Sequence, residues 1–333
     1  MKNKKVLVIG ANGAMARYMI PYLAECGCKV DGLDRASVES SNPNVRYITG
    51  DAKDPAFRNE LLSCNYDAIV DFMIYSSQEL PVILPMMLSC TGQYVFLSSG
   101  RIYDNLEVPV KESSPRLIDS SKDYLLVNSD DYCIRKARGE NILCNMPTKN
   151  WTIVRPATTY SYLRYQLVTL EAADTVGRAR AGKKVVLPIQ AKDVSATLSW
   201  GGDAGKMIGK LLFNSQAMGE TFNINSAEHH KWGEIADYYT DICKLQPVWV
   251  DKEDFLAIKS PDPFNVGNRW QLEYARLFER IVDNSKVLAA TGMKQQEMMP
   301  LYDGLKYEID RTPLDIEWKV NQRMDDYLAD KGL

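Results

Sequence analysis

Residues Val6 to Arg17 read VLVIGANGAMAR, and no other stretch restricts the fold as strongly. Four apolar residues ending at Gly10 have the continuity of a strand buried on both faces, as in a parallel sheet. Met19, Ile20 and Leu23 then recur with helical period. A strand feeding a helix through a glycine turn leaves backbone N–H groups and the positive end of the helix dipole facing outward, where phosphate groups bind. The spacing is G-x-x-G-x-x-A: Gly10 permits the turn, Gly13 lets a pyrophosphate approach the backbone, and Ala16 lets helix and strand pack closely. Gly10, Asn12, Gly13, Ala14 and Met15 are therefore the candidate phosphate cradle of a dinucleotide.

A second strand, Cys28 to Leu33, ends at Asp34, about two dozen residues beyond Gly10, where an acid can accept the hydroxyls of an adenosine ribose. Asp34 favours NAD. NADP is less favoured because a carboxylate repels a 2′-phosphate, although Arg35, the next residue, offers a cation that could meet one.

Up to about Arg155 the pattern keeps alternating. Arg46–Ile48, Ala68–Met73, Tyr94–Leu97 and Trp151–Val154 read as strands, with helices at 56–62, 80–89 and 130–143 between them. Alternation at this interval predicts an α/β fold with a doubly wound parallel sheet and right-handed crossovers. After Pro156 it loosens, which predicts a smaller mixed α/β lobe on the substrate side. The expected division is a nucleotide domain over 1–160, a return to it over 183–226 ending in the strand Gly219–Asn225, and a substrate lobe from 161–182 and 227–333. In that lobe Trp232–Cys243 and Asp283–Ala290 read as helices and Pro247–Val250 as a strand. Arg269, Arg276 and Arg280 are placed on a long amphipathic helix.

With 333 residues and 45% hydrophobic content the chain can bury a large core, and its net charge of -3 without a basic run gives nucleic acid no electrostatic footprint. No apolar run is long enough to span a bilayer. Seven cysteines without a CxxC pair fit a reducing, cytoplasmic setting, with Cys26 and Cys28 as packing residues. No metal site is expected, because the two histidines, His229 and His230, are adjacent and point apart. The methionines between Met293 and Pro300 read as apolar filling.

Ser99, Tyr132 and Lys136 carry the chemistry. Ser98 and Ser99 follow the strand Tyr94–Leu97 directly, at the sheet edge where ligands bind. Tyr132 and Lys136 are i and i+4 on one helix, so they share a face. A cation beside the phenol favours phenolate and makes Tyr132 a usable base, while Ser99 can hold the reacting oxygen. Tyr302 and Lys306 repeat the spacing, but far from the nucleotide pattern, and are expected to be surface residues.

These pieces occur in a recognisable order: VIGANGAMA, Asp34, GDAKD at Gly50–Asp54, VFLSSGRIYD at Val95–Asp104, YCIRKARGE at Tyr132–Glu140, IVRPATTY at Ile153–Tyr160, GETFNIN and DNSKVLAATG. In this the chain resembles the extended short-chain dehydrogenase/reductases, which include nucleotide-sugar epimerases, dehydratases and reductases. The resemblance implies a Rossmann-type fold, a Ser99–Tyr132–Lys136 triad, Asp51 and Ala52 near the adenine, and Lys136 on the nicotinamide ribose. Sugar dehydratases of the family place an Asp-Glu pair after the catalytic hydroxyl residue, where this chain has Gly100-Arg101. Further departures are Thr158, Ser161 and the stretch NRWQLEYARLFERIVDNSK, with its arginines as candidate diphosphate clamps.

The expected activity is that of an NAD-dependent epimerase or oxidoreductase acting on a hydroxyl of a nucleotide-activated sugar, with a homodimer compatible with the family. A reductase of a keto sugar or other carbonyl substrate is the alternative. A non-catalytic dinucleotide-sensing or scaffold protein is the alternative from another class.

Overall fold

The computed structural model describes residues 1–36, 39–260, 262 and 264–333. Seven strands form one parallel sheet: β1 (Lys5–Ile9), β2 (Lys29–Asp34), β3 (Val45–Thr49), β4 (Tyr66–Asp71), β5 (Thr91–Leu97), β6 (Trp151–Pro156) and β7 (Glu220–Ile224). Their spatial order is β7-β6-β5-β4-β1-β2-β3. The order reverses direction at β1 and β4, so a crevice opens at the carboxyl ends of these two strands. Alternate residues of β1 feed two cores. Val6 and Val8 pack with Met19, Ile20 and Leu23 of α1 (Ala16–Glu25) and with α5 (Gly201–Leu211). Leu7 and Ile9 pack on the opposite face against α3 (Leu80–Ser89), beside α2 (Pro55–Leu62) and α4 (Tyr132–Asn145). Helices on both faces of a parallel sheet make the doubly wound α/β arrangement that the alternation predicts.

α5 had no counterpart among the expected elements, since GGDAGKMIG reads compositionally as loop. Its glycines at 201, 205 and 209 lie on one face, and a Cβ there would meet Ala14 O at 2.3 Å, Met15 O at 2.6 Å and the Tyr22 ring at 2.8 Å. Without side chains the helix lies directly on the glycine turn and on α1.

A third core gathers Tyr160, Tyr165, Val185–Leu187, Trp232, Tyr239, Phe255 and Leu305. Here the strand Lys184–Pro188 pairs in parallel with Gln246–Val250, outside the seven-stranded sheet, and α5 then packs on α1. His230 and Lys231 form a two-residue antiparallel ladder to Ser195–Ala196. The long helix expected over the three arginines is also broken. Val266–Gln271 is helical, Leu272–Arg276 makes one π turn, and the chain then leaves the helix. Long-range pairing overrides the local pattern, because Arg280 N donates to Ser195 O at 2.9 Å and Asp283 N to Val110 O at 2.8 Å.

Candidate functional site

At the carboxyl end of β1, Gly10 has φ of 84°. A side chain there would be strained, and its Cβ would lie 3.1 Å from Phe72 Cβ. Gly13 N donates to Gly10 O at 3.0 Å and closes the turn. Among the described residues no acceptor meets the N–H groups of Ala14, Met15 and Ala16, and no side chain caps α1. Three free donors at a helix start suit a phosphate.

Asp34 closes the other side. Its Oδ2 accepts from Asn12 N at 3.0 Å and its Oδ1 from Arg35 N at 2.8 Å, which fixes the carboxylate between the turn and the end of β2. Gly10, Asp34, Arg35, Asp51 and Ala52 line one cavity of about 270 Å³, joined by Lys53 and Met73. Free donors, an anchored acid and an adjoining crevice together fit a dinucleotide.

The second cavity, of about 370 Å³, holds Ser99 and Tyr132. Ser99 emerges from β5 and caps the short turn Gly100–Ile102, its Oγ accepting from Arg101 N at 3.1 Å. Tyr132 opens α4, where Asp131 caps the helix by accepting from Cys133 N at 3.0 Å. Burial pushes the Tyr132 phenol up, while the Ser99 hydroxyl beside it and the charges of Arg101, Arg164 and Arg135 pull it back. Lys136 lies one turn on, 2% exposed, with Nζ 5.7 Å from the Tyr132 ring centre and donating to Met73 O at 3.0 Å. Burial pulls its ammonium down to about 8, opposed by Asp71.

Two contacts position α4. Gly139 allows it to lie on β5, since a Cβ there would meet the Phe96 ring at 2.6 Å. Glu140 takes Arg155 of β6 in a bidentate pair, 2.8 Å from Nε and 2.7 Å from Nη2, with both residues buried. Losing one partner of such a pair costs about 3–5 kcal/mol, so helix and strand are held in register at the site.

Arg276 and Arg280 reach the same cavity as Ser99 and Tyr132. Arg276 donates to Val168 O at 2.8 Å and Thr158 Oγ1 at 2.9 Å, and Arg280 to Tyr103 O at 2.7 Å. Among the described residues neither pairs with a carboxylate, and burial pulls both guanidinium groups down to about 10. Two buried guanidinium groups of this kind have the chemistry to hold an anion. Arg269 lies elsewhere, bound to Glu253 and Glu273. Tyr302 and Lys306 sit on the helix Leu301–Asp310 against Asp241 and Asp310, outside both cavities.

Sequence reasoning passed over Asp71, whose oxygens accept from Met73 N, Tyr75 OH and Tyr94 OH at 2.9 Å each. It thereby holds the segment whose Met73 carbonyl receives Lys136. The acid inside the apolar run AIVDFM was the available signal. Arg164, Gln166 and Glu171 also enter the second cavity, and no local pattern marked them.

No curated protein matches the chain significantly in sequence. Among solved structures, the chain is similar to UDP-glucose 4-epimerase of Thermotoga maritima with UDP-glucose (TM-score 0.67, 17% identity, 92% of this chain and 97% of that one). It is also similar to UDP-glucuronic acid 4-epimerase of Bacillus cereus in complex with UDP-glucuronic acid and NAD (TM-score 0.66, 15% identity, 92% and 98%). A third is dTDP-glucose 4,6-dehydratase of Bacillus anthracis in complex with NAD (TM-score 0.67, 15% identity, 92% and 96%). At these identities the likeness is one of fold. The model of the NAD dependent epimerase/dehydratase family matches residues 6–224, most of the chain, and the protein belongs to that family of extended short-chain dehydrogenase/reductase enzymes.

Proposed function

We propose that the protein oxidises and re-reduces a hydroxyl-bearing carbon of a nucleotide-activated sugar, with epimerisation as the net reaction. One observation carries the reading: Ser99 and Tyr132 share a cavity with Arg276 and Arg280, two guanidinium groups without a carboxylate partner. A reacting hydroxyl at Ser99 and Tyr132 and a diphosphate at Arg276 and Arg280 match that lining. The solved epimerases with UDP-glucose and UDP-glucuronic acid support the same class.

The cofactor assigned to the first cavity is NAD, held by the cradle Gly10, Asn12, Gly13, Ala14 and Met15, by Asp34 at the ribose, and by Asp51 and Ala52 near the adenine. Asp34 favours NAD over NADP despite the neighbouring Arg35, because the anchored carboxylate accepts ribose hydroxyls and repels a 2′-phosphate. When bound, NAD supplies the hydride acceptor.

Tyr132 Oη takes the proton of the substrate hydroxyl, and Ser99 Oγ orients that oxygen. Lys136, held to Met73 O, favours phenolate by its charge and meets the nicotinamide ribose. In this reading residues 1–160, together with the return through α5 and β7, serve the cofactor, and the smaller lobe serves the substrate. The test is incubation of the NAD-loaded protein with nucleotide sugars, separating stereoisomers chromatographically. A new stereoisomer of unchanged mass is expected; no conversion of any nucleotide sugar contradicts the proposal.

A further inference from the structure

Besides Arg276 and Arg280, two more guanidinium groups border the substrate cavity, those of Arg101 and Arg164. They stand at the reacting end. Arg101 follows Ser99 by two residues, its Cζ is 5.9 Å from the Tyr132 ring centre, and the fields of both arginines reach the Tyr132 phenol. Asp131 occupies only Nη2 of Arg101, at 3.1 Å, and the buried Nε meets no hydrogen-bond partner among the described residues. The Arg164 side chain meets no acceptor among the described residues, its backbone alone bonding to Ser161.

The chemistry of these donors discriminates between sugars. A hydroxyl oxygen of a neutral hexose can accept from a guanidinium, but it brings no charge to balance the arginines. A carboxylate accepts only, and it meets a guanidinium with charge-assisted, paired hydrogen bonds. The acceptors that sugar hydroxyls need lie elsewhere in the cavity, on Glu171 and Gln166, which bond to each other.

Resting on the nucleotide-sugar reading above, we infer that the sugar ring itself carries a carboxylate, so that the substrate class is a nucleotide-diphosphate uronic acid. Its carboxylate lies at Arg101 and Arg164, and its diphosphate at Arg276 and Arg280. The two anionic groups then lie close together in one cavity, where the fields of Arg101 and Arg164 also reach Arg276, and the reacting hydroxyl lies beside Tyr132.

Calorimetric titration of the NAD-loaded protein with UDP-glucuronate against UDP-glucose, and with GDP-mannuronate against GDP-mannose, tests this. At least one uronate binds about tenfold or more tighter than its neutral partner, the scale of one charge-assisted contact. Arg164→Met and Arg101→Met bring that ratio to near unity and change affinity for the matching nucleoside diphosphate by less than they change affinity for the uronate. Arg164 is exposed, so its variant keeps the test open if Arg101→Met does not fold. Neutral sugars binding as tightly as their uronates in both pairs overturn the inference and leave the nucleotide-sugar reading intact. Absence of binding by all four compounds overturns both.

Discussion

Gly201→Ala probes the contact between α5 and the cofactor cradle. The added Cβ stands 2.3 Å from Ala14 O and 3.1 Å from Ala14 C. A carbon–oxygen contact needs about 3.3 Å, so the helix or the glycine turn must move by about 1 Å. Overpacking of this kind costs about 1–3 kcal/mol, a fall of several degrees in melting temperature. The particular consequence concerns the neighbours of the displaced carbonyl, because the free N–H groups of Ala14, Met15 and Ala16 turn with it. Each such donor to a phosphate is worth about 1.5–3 kcal/mol, so losing the alignment of one weakens NAD binding about tenfold to a hundredfold. Gly209→Ala is the control, since its Cβ meets the Tyr22 ring at 2.8 Å, at the far end of the helix. It lowers stability without touching the cradle. NAD affinity by calorimetry and melting by circular dichroism separate the two variants. Equal NAD affinity in Gly201→Ala and Gly209→Ala at comparable stability loss refutes the reasoning.

Asp34→Ser weakens NAD by about tenfold and narrows the gap to NADP, read as two dissociation constants; a native preference for NADP contradicts the role given to Asp34. Burial pulls Lys136 from 10.5 to about 8, so across that interval the unfolded chain holds a proton that the folded chain lacks, and stability rises with pH there. Below it the buried charge is a cost, so Lys136→Met melts higher than the native protein at neutral pH and loses that advantage as the pH approaches about 10; a constant difference between the two melting curves defeats this assignment. Tyr302→Phe leaves turnover unchanged, because its hydroxyl serves only Asp241 on the surface. No dehydration is expected, since Gly100 has no side chain and Arg101 brings no carboxyl group to the place after Ser99. Mass spectrometry showing a product lighter by one water, dependent on Tyr132, argues against that last statement.

The large sheet was legible because its signals are local. β1, β2, β4, β5 and β6 are apolar runs buried on both faces, and α3 begins and ends where its pattern does. The two cavities were legible in part for the same reason: the glycine turn, Asp34 and the serine after β5 all sit at strand ends, which a parallel sheet brings to one edge. What escaped depends on distant pairing. Lys184–Pro188 is set by Gln246–Val250, and the path of Arg276 and Arg280 by Ser195 and Val110. α5 escaped for another reason, since glycine-rich composition hides a face made for close contact with Ala14 and Met15.

The central claim is that Tyr132 handles the proton of a nucleotide sugar while a hydride leaves the sugar for the dinucleotide. Rapid mixing of NAD-loaded protein with UDP-glucuronate, GDP-mannuronate and their neutral partners, followed by the near-ultraviolet absorbance of reduced nicotinamide, measures this step. The native protein is expected to develop that absorbance with at least one of them, and Tyr132→Phe to do so slower by about 10² or more, with NAD affinity and melting unchanged. A rate in Tyr132→Phe within a few-fold of the native one, or no absorbance from the native protein with any of the four, contradicts the account.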